Sequence, residues 1–99
     1  MIMYCVTYWY DWDGIVCAPN GDFCFLESPK EAKKMLLRLI TEHAKNREYE
    51  VDMKETLKNV KYEGEVCYKI SASELFNDEN DYSRFKIQCA KPGEIISLV

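Results

Sequence analysis

The chain has little of what small catalytic and metal-binding motifs are built from. It contains four glycines and one histidine, His43, and its five cysteines include no C-x-x-C pair. A zinc site normally needs two close pairs of ligands, and a phosphate-binding loop needs several glycines. Motifs of hydrolases, metalloproteases and nucleotide-binding proteins are missing as well. We therefore predict no metal and no cofactor.

The chain also lacks long hydrophobic runs, and its number of cysteines is odd. No apolar stretch approaches the roughly 18 residues that a membrane-spanning helix needs. The apolar residues at the start of the sequence follow no Lys or Arg, which makes a poor secretion signal. An odd number of widely spaced cysteines is untypical of secreted disulfide proteins. These features favour a cytoplasmic protein with reduced thiols and no membrane partner.

Positive charge is missing from residues 1–29, which carry four carboxylates and no Lys or Arg. The whole chain has 17 acidic and 13 basic residues and a formal net charge of −4. Such a balance argues against a protein whose main task is to neutralise nucleic-acid phosphates, so we expect no direct nucleic-acid contact. Apolar material is abundant, because 47% of the 99 residues are hydrophobic. That is enough for one folded domain over residues 1–99.

Turn signals divide the first part of the chain into three strands. Asp13-Gly14 and Asn20-Gly21 are both typical of two-residue hairpin turns, because these residue types tolerate positive φ. Two-residue turns set the pairing register, which places Trp12 opposite Ile15. We therefore predict a three-stranded antiparallel meander over residues 2–26.

A capping pattern precedes the strongest helical periodicity in the chain. Ser28 and Glu31 form a capping box around Pro29, which suits the first helical position. Apolar residues then recur at three- and four-residue steps as far as Ala44, so we predict a helix of about four turns with one apolar stripe. His43 lies on that stripe near the helix end, and we expect it at the edge of the core.

Weaker patterns follow the helix. Residues 49–53 alternate like a strand, although residues 52–60 could equally form a short capped helix. Alternation and turn signals then predict a strand, a helical turn and two further strands, at 66–70, 71–76, 85–89 and 95–99. The predicted fold class is α+β: an antiparallel sheet, made of the N-terminal three-stranded meander plus C-terminal strands, packed against one long amphipathic helix.

The predicted meander is apolar on both faces, whereas the single predicted helix can cover only one. Tyr4, Val6 and Tyr8 belong to the face that suits the helix better. The other face carries aromatic residues with carboxylates near the turns, and apolar patches with polar rims mark interaction sites. We predict partner binding there, with burial under the C-terminal half or in a homodimer as the alternatives. The candidate residues on this second face are Trp9, Asp11, Asp13, Asp22, Phe23 and Phe25.

An acidic loop after residue 76 is a second candidate surface, and it contains Asp78, Glu79 and Asp81. Its spacing lacks the glycine and the closing Glu of a calcium-binding loop, so we predict no metal there. Acidic clusters raise the encounter rate with basic surfaces. We therefore expect this loop either to meet a basic protein partner or to be a solvated loop.

Three functions remain open from the sequence. The first is a non-enzymatic acidic protein-binding module, an inhibitor that occludes a basic or nucleic-acid-binding partner, as phage anti-CRISPR proteins and small immunity proteins do. No motif of either class is present, so the analogy is one of size and charge. The second is a small enzyme or ligand-binding domain with Cys, Asp or His in a pocket between helix and sheet. The third is a structural homodimer. The missing catalytic motifs favour the first.

Overall fold

The structure, a computed structural model, describes residues 3–10, 14–16, 24–62 and 68–90. These residues form a five-stranded antiparallel sheet with three helices, which confirms the predicted α+β class. The strands are β1 Met3–Tyr10, β2 Gly14–Val16, β3 Cys24–Leu26, β4 Tyr68–Ser71 and β5 Arg84–Ala90. The helices are α1 Pro29–Asn46, α2 Met53–Lys58 and α3 Ala72–Phe76. The strand predicted at 95–99 lies outside the described residues.

Strand β1 lies at the centre of the sheet and pairs along both of its edges. β5 runs along one edge of β1, and β4 pairs with the far side of β5. β2 and β3 both pair with the other edge of β1, with Val16 opposite Tyr8 and Cys24 opposite Val6. The predicted meander needs correction, because β3 pairs with β1 rather than with β2. Since β1 is buried, its backbone groups need partners on both edges, and β3 supplies them beyond the end of β2.

The first hairpin has a different register from the predicted one. Trp9 lies opposite Ile15, whereas a two-residue turn places Trp12 there. Pairing resumes at Gly14, so residues 11–13 connect the two strands, and three-residue connections are the next most common kind. The residue opposite Ile15 changes by an odd number of positions along β1. The register position of Ile15 therefore moves to the face of the sheet that carries Trp9.

Helix α1 is capped at its start and packs along one face of the sheet. The side-chain oxygen of Ser28 accepts hydrogen bonds from the backbone N–H groups of Lys30 and Glu31, at 3.2 and 3.4 Å. These are amides that the first helical turn leaves without a partner. The buried residues of α1 recur at three- and four-residue steps and are Ala32, Leu36, Leu39, Ile40, His43 and Ala44. No helix in the described ranges is long and apolar enough to cross a membrane.

Two short helices position the loops that carry polar side chains. Residues 53–58, for which the sequence allowed a strand or a helix, form α2 with Asp52 as its N-cap. Ser71 caps α3 in the same way. α3 is followed by Asn77, whose φ of 53° is the left-handed conformation that Asn tolerates better than most residues. The chain then returns through residues 78–83 across the end of α1.

Candidate functional site

The two faces of the sheet differ in chemistry. The inner face packs against α1 and is apolar, and the rings of Tyr8 and Phe85 are stacked there with centroids 5.1 Å apart. On the other face, β4 and β5 contribute charged residues that alternate with their apolar inner residues. We define this outer face by the described residues Met3, Cys5, Thr7, Trp9, Lys69, Ser71, Arg84, Lys86 and Gln88.

Three cations and a tryptophan lie close together on the outer face. Lys69 and Lys86 are directly opposite each other, and Arg84 lies two residues from Lys86 along β5. The guanidinium carbon of Arg84 is 5.3 Å from the ring centroid of Trp9, a cation–π contact. None of the five described strands contains Asp or Glu. The outer face is therefore basic, not simply apolar as the first strands alone predicted.

The outer face is only partly open to solvent. Cys5 and Thr7, in the middle of β1, are buried, whereas Trp9 is half-buried. Lys69 and Arg84 are exposed. Trp9 is therefore not enclosed within the domain, and the accessible part of the outer face is the end that carries Trp9 and Arg84.

An open cleft of about 360 Å³ adjoins Trp9 and Arg84. Its wall carries hydroxyl groups, two aromatic rings and one guanidinium, and consists of Trp9, Ser71, Ser73, Asp81, Tyr82 and Arg84. Tyr82 is 64% exposed, so rings border the cleft on two sides. The guanidinium and the hydroxyl groups can donate hydrogen bonds, whereas the Asp81 carboxylate can only accept them.

A second cluster of charged residues lies inside the domain, between α1 and the loop after α3. Nε2 of His43 and Oδ2 of Asp81 are 2.6 Å apart, and both side chains are 0% exposed. The hydroxyl of Tyr8 is hydrogen-bonded to the other ring nitrogen of His43, Nδ1. Tyr49 donates from its hydroxyl to Oδ2 of Asp81, 2.6 Å away. We call these four residues, together with Arg47, the inner network.

Asp81 accepts hydrogen bonds from four groups and is ionised. Besides His43 and Tyr49, Nη2 of Arg47 donates to its Oδ1 at 3.3 Å and the backbone N–H of Ser83 donates at 3.0 Å. Burial alone would raise the pKa of Asp81. The hydrogen bonds from Tyr49, His43 and Ser83 outweigh burial and lower this pKa to about 2. A negative charge is therefore held inside the domain at neutral pH.

The proton positions follow from this charge. An ionised Asp81 can only accept, so Nε2 of His43 carries a proton and donates it to Oδ2 of Asp81. The hydroxyl of Tyr49 also lies 2.9 Å from Oδ2 of Asp78. Burial, followed by the hydrogen bonds to Asp81 and Asp78, raises the pKa of Tyr49 well above its ordinary value, so Tyr49 remains a donor.

The hydrogen bonds that join Tyr8 to His43 and His43 to Asp81 resemble those that join the nucleophile, the base and the orienting acid of a catalytic triad. Access argues against a catalytic role, because Tyr8 is only 6% exposed and His43 is fully buried. Both ring nitrogens of His43 are bonded within the protein. The inner network therefore connects β1, α1 and the loop after α3, which is a structural task for buried hydrogen bonds.

The structure places the predicted site residues in different environments. Trp9 lies at the accessible end of the outer face, as described above. Glu79 is exposed and Asp78 is half-buried against Tyr49. Asp81 is buried and belongs to the inner network, and it also contributes to the wall of the cleft. Asp11, Asp13, Asp22 and Phe23, and the side chain of Phe25, lie outside the part of the chain that the structure describes.

Sequence reasoning missed the inner network and the cations of the outer face. The prediction that His43 lies at the edge of the core is wrong, because its side chain is fully buried. A histidine on an apolar stripe needs a buried polar partner, but no local spacing identifies Asp81, 38 residues away. The cations could have been found, because Lys69, Arg84 and Lys86 alternate with the apolar residues of their strands.

Metal-ligating and thiol groups are scattered over the described ranges. No group of three or more His, Cys, Asp or Glu side chains in those ranges could hold a metal ion. Cys5 lies buried on the outer face and Cys89 half-buried on the inner face. The ring nitrogens of His43 are hydrogen-bonded to the hydroxyl of Tyr8 and to the carboxylate of Asp81.

These features define a small α+β domain with a charged network behind its sheet and a basic, aromatic patch in front of it. No protein-family model, no curated protein and no solved structure matches the chain. Its function must therefore be argued from the two clusters themselves.

Proposed function

We propose that the chain is a non-enzymatic protein-binding module that docks through the accessible end of the outer face, and that it inhibits its partner by covering a surface the partner uses. The observation that carries the proposal is Trp9, a large ring partly open to solvent, with the guanidinium carbon of Arg84 5.3 Å from its centroid. Trp and Arg are among the residue types most enriched at binding hot spots.

The side chains of Trp9 and Arg84 already contact each other before any partner binds, and this supports the proposal. Trp9 belongs to β1, which is hydrogen-bonded along both edges, and its ring contacts Arg84. Side chains that are fixed in advance lose less conformational entropy on association, which leaves more free energy for affinity. The adjoining cleft offers space for an anchoring side chain of the partner.

The alternative of a small enzyme is less well supported by the positions of the reactive groups. General acid–base catalysis needs a group within hydrogen-bond reach of a substrate. His43 and Asp81 are fully buried and bonded to each other. Asp81 contributes to the cleft wall, but both of its carboxylate oxygens accept hydrogen bonds within the protein.

The alternative of a homodimer through the outer face is opposed by charge. A two-fold interface brings the same patch of each copy together. Lys69 and Arg84 of one copy, both exposed, would then approach the same cations of the other, and like charges across an interface cost several kcal/mol. The outer face therefore suits a different molecule better than a second copy.

The test compares capture by the wild-type chain with capture by Trp9→Ala and Val51→Ala. Val51 is 39% exposed in the connection between α1 and α2, so its truncation removes an exposed apolar side chain elsewhere. Proteins retained from a lysate of the source cells are identified by mass spectrometry, and the dominant one is purified and titrated. We expect Trp9→Ala to weaken its binding by at least about 30-fold, as hot-spot truncations do, and Val51→Ala to leave binding unchanged.

Circular dichroism and urea unfolding establish that both variants fold before binding is compared. Equal binding by Trp9→Ala and the wild-type chain contradicts docking through the outer face. Docking through the outer face is also contradicted if Trp9→Ala retains every protein that the wild-type chain retains.

A further inference from the structure

We infer that the cleft beside Trp9 receives a tyrosine side chain of the partner protein. The inference rests on the proposed function and names the anchoring side chain that enters the cleft. It follows from three properties of the cleft wall: the signs of its charges, the shape of its rings and guanidinium, and the hydrogen bonds that its hydroxyl groups can still make.

The charges of the cleft wall favour an uncharged occupant. An anionic side chain is attracted by the exposed guanidinium of Arg84, but it also approaches the negative charge of Asp81. A cationic side chain is attracted by Asp81 and repelled by Arg84. The Asp81 side chain is also 0% exposed and bonded to His43, so an ammonium group reaches it only by displacing bonds of the inner network. A side chain without formal charge avoids both penalties.

The flat groups of the wall favour an aromatic occupant. Trp9 is half-buried and Tyr82 is largely exposed, so both rings can contact a side chain that enters the cleft. Aromatic rings attract one another at centroid distances of about 4.5–7 Å, and the planar guanidinium of Arg84 stacks on aromatic faces as well. The cleft volume of about 360 Å³ is at the lower end of the roughly 300–1,000 Å³ of ligand pockets. That size suits one large side chain.

The hydroxyl groups of the wall favour an aromatic ring that carries an oxygen. The hydroxyl oxygens of Ser71 and Ser73 are 3.1 Å apart, and Ser71 also accepts from the backbone N–H of Glu74. Two hydroxyl groups have two protons, and the bond between them uses one. No described residue accepts the other, so it is available to an occupant. Among uncharged aromatic side chains, only tyrosine carries an oxygen that accepts this proton.

The surroundings of the cleft favour a protein side chain over a nucleic-acid base, although bases also stack on aromatic rings. A base arrives with a negatively charged phosphate on either side. Glu74 and Glu79, which follow Ser73 in the chain, are exposed and repel phosphates, as does Asp81 in the cleft wall. A tyrosine on a protein surface is surrounded by neutral peptide groups. Preferred binding of a nucleic acid is accordingly an outcome that overturns the inference.

The experiment measures the binding of defined probes to the full chain by two-dimensional ¹H–¹⁵N NMR. The probes are pentapeptides with acetylated and amidated ends, in which two glycines on either side flank a central Tyr, Phe, Leu or Glu, and a single-stranded oligodeoxythymidine. We expect the Tyr peptide to shift the indole N–H of Trp9 and the amide signals of Ser73 and Tyr82, with a Kd of roughly 1–10 mM, as expected for a single anchoring side chain.

The other probes separate the three properties of the wall. The Phe peptide lacks only the hydroxyl and should bind at least about threefold more weakly than the Tyr peptide, because it loses one hydrogen bond. The Leu peptide lacks the ring and the Glu peptide adds a charge, so each should bind at least about fivefold more weakly. The oligonucleotide should also bind more weakly than the Tyr peptide.

Two substitutions at one position localise the binding. Tyr82→Leu removes a ring from the cleft wall, whereas Tyr82→Phe keeps the ring and removes only the hydroxyl. We expect Tyr82→Leu to weaken binding of the Tyr peptide at least about threefold and Tyr82→Phe to change it by less than about twofold. Binding of the Tyr peptide that is undetectable, that any other probe equals or exceeds, or that Tyr82→Leu leaves unchanged overturns the inference.

The two proposals fail separately. If Trp9→Ala abolishes capture of a partner while the Tyr peptide does not bind, the outer face is a docking surface and the tyrosine anchor is wrong. If the Tyr peptide binds in the cleft while the captured partner is insensitive to Trp9→Ala, the proposed docking function is wrong and the affinity of the cleft for tyrosine stands.

Discussion

The inner network and the outer face lie on opposite sides of one sheet and use charge in opposite ways. In the inner network a single carboxylate, Asp81, is surrounded by donors from α1, from the chain after it and from its own loop. On the outer face Lys69, Lys86 and Arg84 share one sign, and their strands contain no carboxylate. The charge of Asp81 is compensated by donors inside the domain, whereas Lys69 and Arg84 on the outer face are exposed to solvent.

Exposure to solvent explains how one fold accommodates both arrangements. A buried charge that loses its partner costs several kcal/mol, so Asp81 needs its donors. Repulsion between solvated cations costs only tenths of a kcal/mol, because water and salt screen it. Substitutions in the inner network should therefore strongly lower the free energy of unfolding. Substitutions on the outer face should change it little or even raise it.

The largest effect is expected for Asp81→Ala. It leaves the donors of His43, Arg47 and Tyr49 without their acceptor, and breaking a buried charged pair costs about 3 to 5 kcal/mol. The free energy of unfolding in urea measures this loss. Glu79→Ala, at an exposed position in the same loop, should change it by less than about 0.5 kcal/mol. If the two variants are equally stable, the inner network does not hold the loop to α1.

Acid should weaken the same interaction without any substitution. Folding lowers the pKa of Asp81 from 3.8 to about 2, so ionisation stabilises the folded state at pH values above the unfolded pKa. This contribution is about 2 kcal/mol, and it is lost as the pH falls from near 4 through about 2. Unfolding free energies measured across this range should fall more steeply for the wild-type chain than for Asp81→Asn. Parallel profiles would contradict the lowered pKa.

A smaller loss is expected for Tyr49→Phe, which removes one donor to Asp81 and keeps the ring stacked on Phe76, with centroids 4.7 Å apart. A hydrogen bond to a charged group contributes about 1.5 kcal/mol or slightly more. With fewer donors the folded-state pKa of Asp81 rises towards its unfolded value, so the acid-induced loss should be smaller and should be complete at a higher pH than in the wild-type chain. Urea unfolding at neutral and acidic pH measures both effects, and an unchanged acid profile argues against a role for this hydroxyl.

The smallest effect, and the one of opposite sign, is expected on the outer face. Lys69→Glu replaces a cross-strand pair of like charges with a pair of opposite charges, which should stabilise the sheet by about 0.5 kcal/mol. The gain should shrink as salt is added, because Lys69 is exposed. The midpoint of urea unfolding at low and high salt measures it. A destabilised variant would mean that the Lys69–Lys86 repulsion is not the controlling interaction.

Local patterns in the sequence predicted the features that depend on near neighbours. The cap at Ser28 involves residues within one helical turn, and the alternation of Phe85 and Ile87 marks which residues face the core. The same alternation carries the information that Arg84 and Lys86 lie on the outer face. These features follow from the geometry of a single helix or a single strand, so one sequence is enough to predict them.

Features that depend on distant segments could not be predicted in this way. Trp9 and Trp12 are both reachable partners for Ile15, because hairpins with two- and three-residue connections are close in free energy. The pairing of β3 with β1 depends on the burial of β1, which no property of residues 24–26 reveals. The contact of His43 with Asp81 requires the whole fold, since several other carboxylates could have filled that place.

β1 is hydrogen-bonded along both edges and lies beneath α1, so its amide hydrogens can exchange with water only when much of the sheet opens. Tyr8 and Trp9 are consecutive residues of this strand, one bonded to His43 inside and the other facing outward. Among the described residues, the slowest-exchanging segment would thus also be the one that carries Trp9. A molecule that docks on Trp9, as we propose, would be attached to the part of the described domain that unfolds last.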